Sequence, residues 1–144
     1  MGLFGGVRRD TNRIGEISES AIITRFLQLG YVVLTPYGGN QRYDLVLEDA
    51  DGHFWRIQCK TGRMDEGSSV IRFNTTIRNV TGKNRQSRHY QGQCDYFAVY
   101  CEKLNKVYLI PVDQAGLLSC LSLRLAPRKS NLDKNILWAK DYEL

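Results

Sequence analysis

Three polar side chains in the central part of the sequence have the chemistry to work together: Asp44, Gln58 and Lys60. Carboxylate and amide oxygens are ligands for hard divalent cations, and a lysine ammonium carries a positive charge. The three residues lie on either side of a turn at residues 50–52, between two stretches with the composition of strands. Whether their side chains meet depends on the register of that hairpin.

Two registers are available to the hairpin. A two-residue turn of Asp51 and Gly52 places Asp44 opposite Cys59, whereas a three-residue loop with Gly52 in the left-handed conformation places Asp44 opposite Gln58. Only the three-residue loop gathers the apolar side chains on one face, because neighbouring strand residues point to opposite faces. That face holds Tyr43, Leu45, Leu47, Trp55, Ile57 and Cys59, and the other holds Asp44, Glu48, Arg56, Gln58 and Lys60. We predict this register. The polar face is then either a chemical site or the solvated side of the hairpin, with a weak surface ion pair.

Elements on both sides of the hairpin position it. The sequence predicts a helix capped by Thr11 or Asn12, running through Leu29 and stopped by Gly30 in the left-handed conformation. Asp113 is predicted to cap a short helix that ends near Cys120. Strands are predicted at Tyr31–Leu34, Tyr43–Glu48, Phe54–Lys60, Val70–Arg78, Asp95–Cys101 and Val107–Val112. The tail from Asn131 to Leu144 fits a strand, a helix or both in turn. This order predicts an α/β (α+β) fold with a mainly antiparallel sheet.

Length and composition are typical of one globular unit. We expect a single domain over residues 1–144, with a flexible basic leader at 1–9. Because no apolar stretch reaches the ~20 residues of a membrane helix and the N-terminus lacks signal-peptide features, we expect a soluble, cytoplasmic protein without a membrane partner. The four cysteines and two histidines lack zinc-site spacing, so the cysteines are expected to be small buried apolar residues. A catalytic metal would then be held by oxygen, which favours Mg²⁺ or Mn²⁺.

Positive charge is concentrated in one segment, although the net charge is only +5. From Arg72 to Gln93 there is no acidic residue, and asparagine, glutamine and threonine side chains lie among the basic ones. Such side chains bind phosphates and base edges, so the segment is a candidate nucleic-acid contact; the alternative is a solvated basic loop. Its five basic residues are Arg72, Arg78, Lys83, Arg85 and Arg88.

Asp44, the hairpin and Gln58-Cys59-Lys60 together resemble the motif of the PD-(D/E)XK nuclease superfamily, with Gln58 in place of the usual acid. A wider set of segments is similar to the group I intron-encoded homing endonucleases of that superfamily. Those segments are Gly15–Glu19, Pro36–Gly38, Arg42–Asp44, Gln58–Arg63, Asp95–Tyr100, Tyr108–Val112 and Trp138–Tyr142. The resemblance implies a restriction-endonuclease-like core sheet flanked by helices, a divalent metal and phosphodiester hydrolysis.

The resemblance also implies residue roles. Asp44 would be the central metal ligand, joined by the Gln58 amide oxygen and the Cys59 backbone carbonyl, and Lys60 would orient the attacking water. It implies a further acid on the first helix, Glu19, which would bind the metal, a second metal or a metal-bound water. A helical wheel places Glu19 at the rim of an apolar arc, whereas Glu16 falls outside it; the alternative is an ordinary exposed helix charge. The arc comprises Ile14, Ile17, Ala21, Ile22 and Leu29. Candidate phosphate contacts, each of them alternatively a plain surface residue, are Tyr37, Arg42 and Arg63.

The sequence therefore predicts a metal-dependent, sequence-specific endonuclease for double-stranded DNA, associated with the nucleoid. Alternatives are a structure-selective nuclease like a Holliday-junction resolvase, and a DNA-binding module with a degenerate site, since Gln58 leaves the metal site one negative charge short. Cutting both strands with one site per chain favours a homo-oligomer, a dimer or a tetramer. Its interface would use Leu117, Leu118, Leu121 and Leu123 and the tail residues Ile136, Leu137, Trp138 and Tyr142, all of which can alternatively belong to the chain's own core.

Overall fold

The computed structural model describes residues 5–79, 86–127 and 136–144, with the backbone alone for 77–79 and 86–88. A long helix, α1 (Thr11–Gln28), precedes all the strands. The predicted cap was wrong: Asp10 caps α1, because its carboxylate accepts a hydrogen bond from Arg13 N at 2.9 Å. Gly30 stands at φ +89°, so the predicted left-handed stop is confirmed.

The buried face of α1 is narrower than the predicted arc. Ser18, Ile22 and Phe26 are buried, and they follow one another at intervals of four residues along a single stripe. Ile14 and Leu29 were predicted inside the arc, but they are 38% and 42% exposed. Ile17, Ala21 and Ile23 are half-buried and pack beside this stripe, whereas residues at the two ends of the helix remain in solvent.

Ten strands build three sheets among the described residues. The main sheet has the order β1-β2-β3-β7-β8, the second β10-β9-β4, and β5 pairs with β6 in a separate hairpin. The strands are β1 (Val32–Leu34), β2 (Leu45–Glu48), β3 (Phe54–Thr61), β4 (Val70–Asn74), β5 (Thr76–Asn79), β6 (Gln86–His89), β7 (Tyr96–Cys101), β8 (Lys106–Pro111), β9 (Cys120–Arg124) and β10 (Leu137–Trp138). Neighbours are antiparallel except β3 with β7 and β9 with β10, which confirms a mixed, mainly antiparallel α/β architecture.

Two apolar cores lie on the two faces of the main sheet. On one face α1 packs over β2, β3 and β7, and on the other face the second sheet covers β7 and β8. Strand β7 is therefore buried on both sides and is apolar throughout. The helix-side core is centred on Ile22, Phe26, Leu45, Leu47, Ile57 and Ala98, and the other on Ile71, Phe73, Tyr90, Phe97, Val99, Tyr108, Ile110 and Leu123.

Two predicted elements were wrong. The predicted strand Val70–Arg78 is interrupted at Thr75, whose buried hydroxyl donates to Leu118 O at 2.5 Å, so the chain leaves the second sheet there and continues into the β5–β6 hairpin. Instead of a helix to Cys120 there is a 3₁₀ turn, Val112–Ala115, followed by β9. In β9 Leu121 and Leu123 are buried while Ser122 is exposed, and this period of two is that of a strand.

The tail supplies β10 and a 3₁₀ turn, Ala139–Asp141. Leu137 and Tyr142 pack against the chain's own core, as do Leu121 and Leu123, whereas Leu117 and Leu118 are 88% and 57% exposed. All four cysteines are free; Cys94 and Cys101 are buried as expected, Cys59 is half-buried, and Cys120 is exposed, contrary to expectation. Among the described residues no helix is long and apolar enough to cross a membrane.

Candidate active site

The β2–β3 hairpin has the predicted register. Leu45 pairs with Ile57 and Leu47 with Trp55, and Asp49 N donates to His53 O at 2.9 Å, which leaves residues 50–52 as a three-residue loop. Gly52 stands at φ +79°, a conformation that residues with a side chain rarely adopt. The register therefore follows from the burial of one hairpin face against α1.

Asp44 lies one residue before β2. Its backbone N–H donates to Ile57 O at 2.9 Å, and its Oδ2 accepts a hydrogen bond from Cys59 N at 2.8 Å. Burial raises the pKa of Asp44, although the bond from Cys59 and the charge of Lys60 oppose that rise. The carboxylate is thus held by the backbone of β3, with Gln58 and Lys60 on either side of the residue that holds it.

Lys60 extends from β3 into a largely apolar setting. Burial lowers its pKa, the negative charge of Asp44 raises it, and the positive charge of Arg42 lowers it further. Its Nζ lies 3.3 Å from the hydroxyl oxygen of Tyr90 and 4.7 Å from the centre of that ring. The ammonium is therefore fixed near Asp44 rather than free in solvent.

The helix brings Glu19 to the same region. Burial raises the pKa of Glu19, and the negative charges of Asp44 and Glu16 add to that rise. A hydrogen bond of 2.6 Å between the hydroxyls of Ser18 and Thr61 ties this part of α1 to β3. Two carboxylates, of Glu19 and Asp44, consequently share a partly buried region in which their charges repel.

The donor set around Asp44 fits a hard divalent cation. It consists of the carboxylates of Asp44 and Glu19, the amide oxygen of the half-buried Gln58 and the backbone carbonyl of Cys59, all of which are oxygen donors. A cation would also relieve the repulsion between Asp44 and Glu19, which adds to the effect of burial in raising the pKa of Glu19. These are the four metal ligands predicted from the sequence.

A second group of ligand-type side chains lies in the hairpin loop. The ligand atoms of Asp49, Asp51 and His53 lie within 4.8 Å of one another. However, Asp49 already accepts hydrogen bonds from Asp51 N, His53 N and Trp55 Nε1, each at 2.9 Å. These bonds shape the turn, so the group is explained by the local structure of the loop.

The predicted phosphate contacts fall into two groups. Tyr37, Arg63 and Arg72 are exposed; Arg63 Nη2 donates to Asn74 Oδ1 at 3.3 Å, and Arg72 forms an exposed ion pair of 3.7 Å with Asp65. Arg42 is half-buried, with its guanidinium carbon 4.7 Å from the centre of the Tyr90 ring.

The remaining basic candidates lie at the β5–β6 hairpin. Arg78 is in β5 and Arg88 in β6, where Arg78 pairs with Ser87 and Arg88 with Ile77, and their side chains lie outside what the structure describes. Lys83 and Arg85 lie outside the described residues altogether. Part of the acid-free segment is therefore a two-stranded ribbon rather than a loop.

Sequence reasoning missed Tyr90, which contacts both Lys60 and Arg42. It is distant in sequence from both, so no local spacing connects them. The one available signal was an aromatic residue at the end of an otherwise polar, acid-free segment.

Comparisons with known proteins gave a family match and a similar solved structure. Residues 9–144 match the family described as PD-(D/E)XK endonuclease. The structure is similar to that of a bacterial homing endonuclease, I-Ssp6803I, with a TM-score of 0.75, 26% sequence identity, and coverage of 94% of this chain and 89% of that one. A search of curated proteins gave no match.

Proposed function

We propose that this chain, which belongs to the PD-(D/E)XK endonuclease family and is therefore a hydrolase of the endodeoxyribonuclease type, cuts a specific sequence of double-stranded DNA. It would do so in the manner of a homing endonuclease, with Mg²⁺ or Mn²⁺, on nucleoid DNA in the cytoplasm. One observation carries the proposal. The Asp44 carboxylate is fixed by the Cys59 N–H at 2.8 Å, within reach of the charges of Lys60 and Glu19.

The four oxygen donors named above would hold the metal: Asp44 and Glu19 by their carboxylates, Gln58 by its amide and Cys59 by its backbone carbonyl. When bound, a divalent ion supplies Lewis-acid activation of the scissile phosphate. Gln58 contributes no charge, so the two carboxylates carry the whole negative charge of the donor set. This supports a role for Glu19 as well as for Asp44.

Lys60 would act on the phosphate directly. Its ammonium is partly removed from water. Away from bulk solvent, two neighbouring charges interact more strongly than they do in water. A fixed cation of this kind offsets the negative charge that develops on the phosphate and orients the attacking water. Burial lowers its pKa, so Lys60 also donates a proton more readily than an exposed lysine.

DNA would be held by the basic side chains near the end of β3. Arg63 and Arg72 lie on adjacent segments, joined by two backbone hydrogen bonds of 2.8 Å, and both side chains are exposed. Phosphate contacts of this kind supply affinity and make it depend on salt. The β5–β6 hairpin, which carries Arg78 and Arg88, the exposed Tyr37 and the half-buried Arg42 would add further contacts.

The working unit would be a homo-oligomer, at least a dimer. Two copies related by a two-fold axis present two sites to the two strands of a duplex. Leu121 and Leu123 belong to the chain's own core, so the exposed Leu117 and Leu118 are the better interface candidates. Sedimentation of the protein, alone and with DNA, tests the oligomer; a monomer in both states that still makes double-strand breaks would contradict it.

A plasmid library tests the proposed activity. Supercoiled plasmids carrying a randomised insert are incubated with the protein and Mg²⁺ or Mn²⁺, and the linear products are sequenced. The proposal expects cleavage at one recurrent sequence by wild-type protein and by the exposed control variant Lys103→Ala, and none by Lys60→Ala. Preferential cutting of four-way junctions over linear duplex would favour a resolvase-like nuclease, and binding without any cutting would favour a degenerate DNA-binding module.

A further inference from the structure

Tyr90 contacts two cationic side chains of the candidate site, Lys60 and Arg42. The side chain is 1% exposed, and its hydroxyl lies 3.3 Å from Lys60 Nζ. The Lys60 ammonium and the Arg42 guanidinium carbon each lie 4.7 Å from the centre of its ring. Both distances are within the range of cation–π attraction. Two positive side chains of the candidate site thus share one aromatic residue.

The ring of Tyr90 is itself held firmly. It packs edge-on against Phe97 with ring centres 5.5 Å apart, and Phe97 packs in turn against Phe73 at 5.7 Å. The backbone carbonyl of Tyr90 accepts hydrogen bonds from Gln93 N at 3.0 Å and Cys94 N at 3.2 Å. Movement of the ring would disturb a fully packed core, so Tyr90 is a rigid platform.

The electrostatics explain why a tyrosine suits this position. Arg42 and Lys60 carry like charges that repel, and the electron-rich face of an aromatic ring attracts both. Arg42 Nη2 donates to His89 O at 2.9 Å, which holds the guanidinium beside the ring. Burial raises the pKa of Tyr90 to about 12, so its hydroxyl stays neutral and accepts a hydrogen bond from the ammonium.

We propose that Tyr90 is a positioning residue for phosphodiester cleavage: its hydroxyl aims the Lys60 ammonium at the scissile phosphate, and its ring holds Arg42 beside it as a second phosphate-facing cation. This inference rests on the proposed nuclease function and adds a residue to the same site. A free lysine side chain has many rotamers. With Tyr90 in place the ammonium is already located before DNA binds, so Tyr90 contributes mainly to turnover.

Three variants test the positioning role. Tyr90→Phe removes only the hydroxyl, Tyr90→Leu removes the ring as well, and Tyr108→Phe is the matched control, because Tyr108 is also 1% exposed in the same core. We expect Tyr90→Phe to lower kcat about tenfold with KM unchanged, as for the loss of one aligned contact in the transition state. Tyr90→Leu should lower kcat further and raise KM, because Arg42 is also released. Tyr108→Phe should keep wild-type constants.

A second readout follows Lys60 without any cleavage. In protein labelled with ¹³C-lysine, the ε-methylene signal of Lys60 should be shifted upfield by the Tyr90 ring relative to that of exposed Lys103. The shift should shrink in Tyr90→Phe, where the hydroxyl no longer holds the ammonium. It should fall further in Tyr90→Leu, to the smaller contribution of Phe97, whose ring centre lies 5.9 Å from Lys60 Nζ. An unshifted wild-type signal would overturn the inference, and so would wild-type kcat in both Tyr90 variants. Wild-type protein that cuts no DNA would overturn the proposed function too, and the three outcomes are distinguishable.

Discussion

Two identical substitutions, Gly62→Ala and Gly15→Ala, should change stability in opposite directions. Gly62 follows the site strand, and a Cβ there would lie 2.7 Å from Ile71 Cγ2 and 3.0 Å from Val99 Cγ1. Both neighbours are fully buried, and the Ile71 methyl is attached directly to its Cβ, so it moves only if the whole packed side chain turns about χ1. Gly15 is in α1 with nothing within 4 Å of an added Cβ.

The magnitudes follow from these surroundings. Overpacking a full core costs about 1–3 kcal/mol, and Gly62→Ala recovers only about 0.4–1 kcal/mol through the unfolded chain. We therefore expect net destabilisation of Gly62→Ala by roughly 1–2 kcal/mol. Gly15→Ala should stabilise the protein by about 0.5–1 kcal/mol, because alanine is the better residue in a helix interior.

Urea denaturation followed by circular dichroism measures both effects as shifts of the midpoint at constant slope. The midpoint should fall for Gly62→Ala and rise for Gly15→Ala. Because Gly62 lies between Lys60 and Arg63, the destabilised variant should also cleave DNA more slowly when folded. A Gly62→Ala protein as stable as wild type would refute the packing argument.

Three further outcomes are expected. Burial would raise the pKa of Asp95, but hydrogen bonds from Arg56 hold that pKa below its ordinary value. The stability that these bonds contribute is present above pH ~3.8 and is lost as the pH falls through the lower pKa of the folded state. Asp95→Asn should therefore weaken the fall of the urea midpoint in acid, and a pH curve like that of the wild type would contradict this role of Asp95. Arg63→Ala should reduce the slope of the logarithm of DNA affinity against the logarithm of salt concentration by about one, whereas Lys103→Ala should leave that slope unchanged. Equal slopes for the two variants would show that Arg63 does not contact DNA. EDTA should stop cleavage and added Mg²⁺ or Mn²⁺ restore it, while a zinc-selective chelator should have no effect; cleavage that persists in EDTA would exclude the proposed donor set.

Local patterns predicted the elements that depend on local physics. The register was predicted from the need to keep Leu45, Leu47 and Ile57 on one face, because a slip by one residue would bury charge beside them. Gly30 and Gly52 were predicted at positive φ because turns at these points require it. The family, the fold class and the enzyme class were also predicted from motif residues, and all three are confirmed by the family match and the similar structure.

Features that depend on distant contacts were not predictable. Thr75 interrupts a strand-like stretch because its hydroxyl bonds to Leu118, far along the chain. The leucines after Asp113 fit the spacing of a helix as well as that of a strand. The segment forms a strand because it pairs with β4. Tyr90 reaches Lys60 only through the parallel pairing of β3 with β7, which brings Phe97 beside Gln58. The ligand roles of Glu19, Asp44, Gln58 and Cys59 remain predictions.

Cleavage by the Asp44→Asn variant shows whether the Asp44 carboxylate is essential to a nuclease site. Asparagine keeps an oxygen that can accept the hydrogen bond from Cys59 N, so the hairpin should fold as before. Cleavage of a plasmid with the selected target, in Mg²⁺, should fall at least a hundredfold, while DNA affinity stays within a few-fold of wild type, as in the exposed control Asp113→Asn. Cleavage by Asp44→Asn at the wild-type rate would show that this carboxylate is not part of a nuclease site.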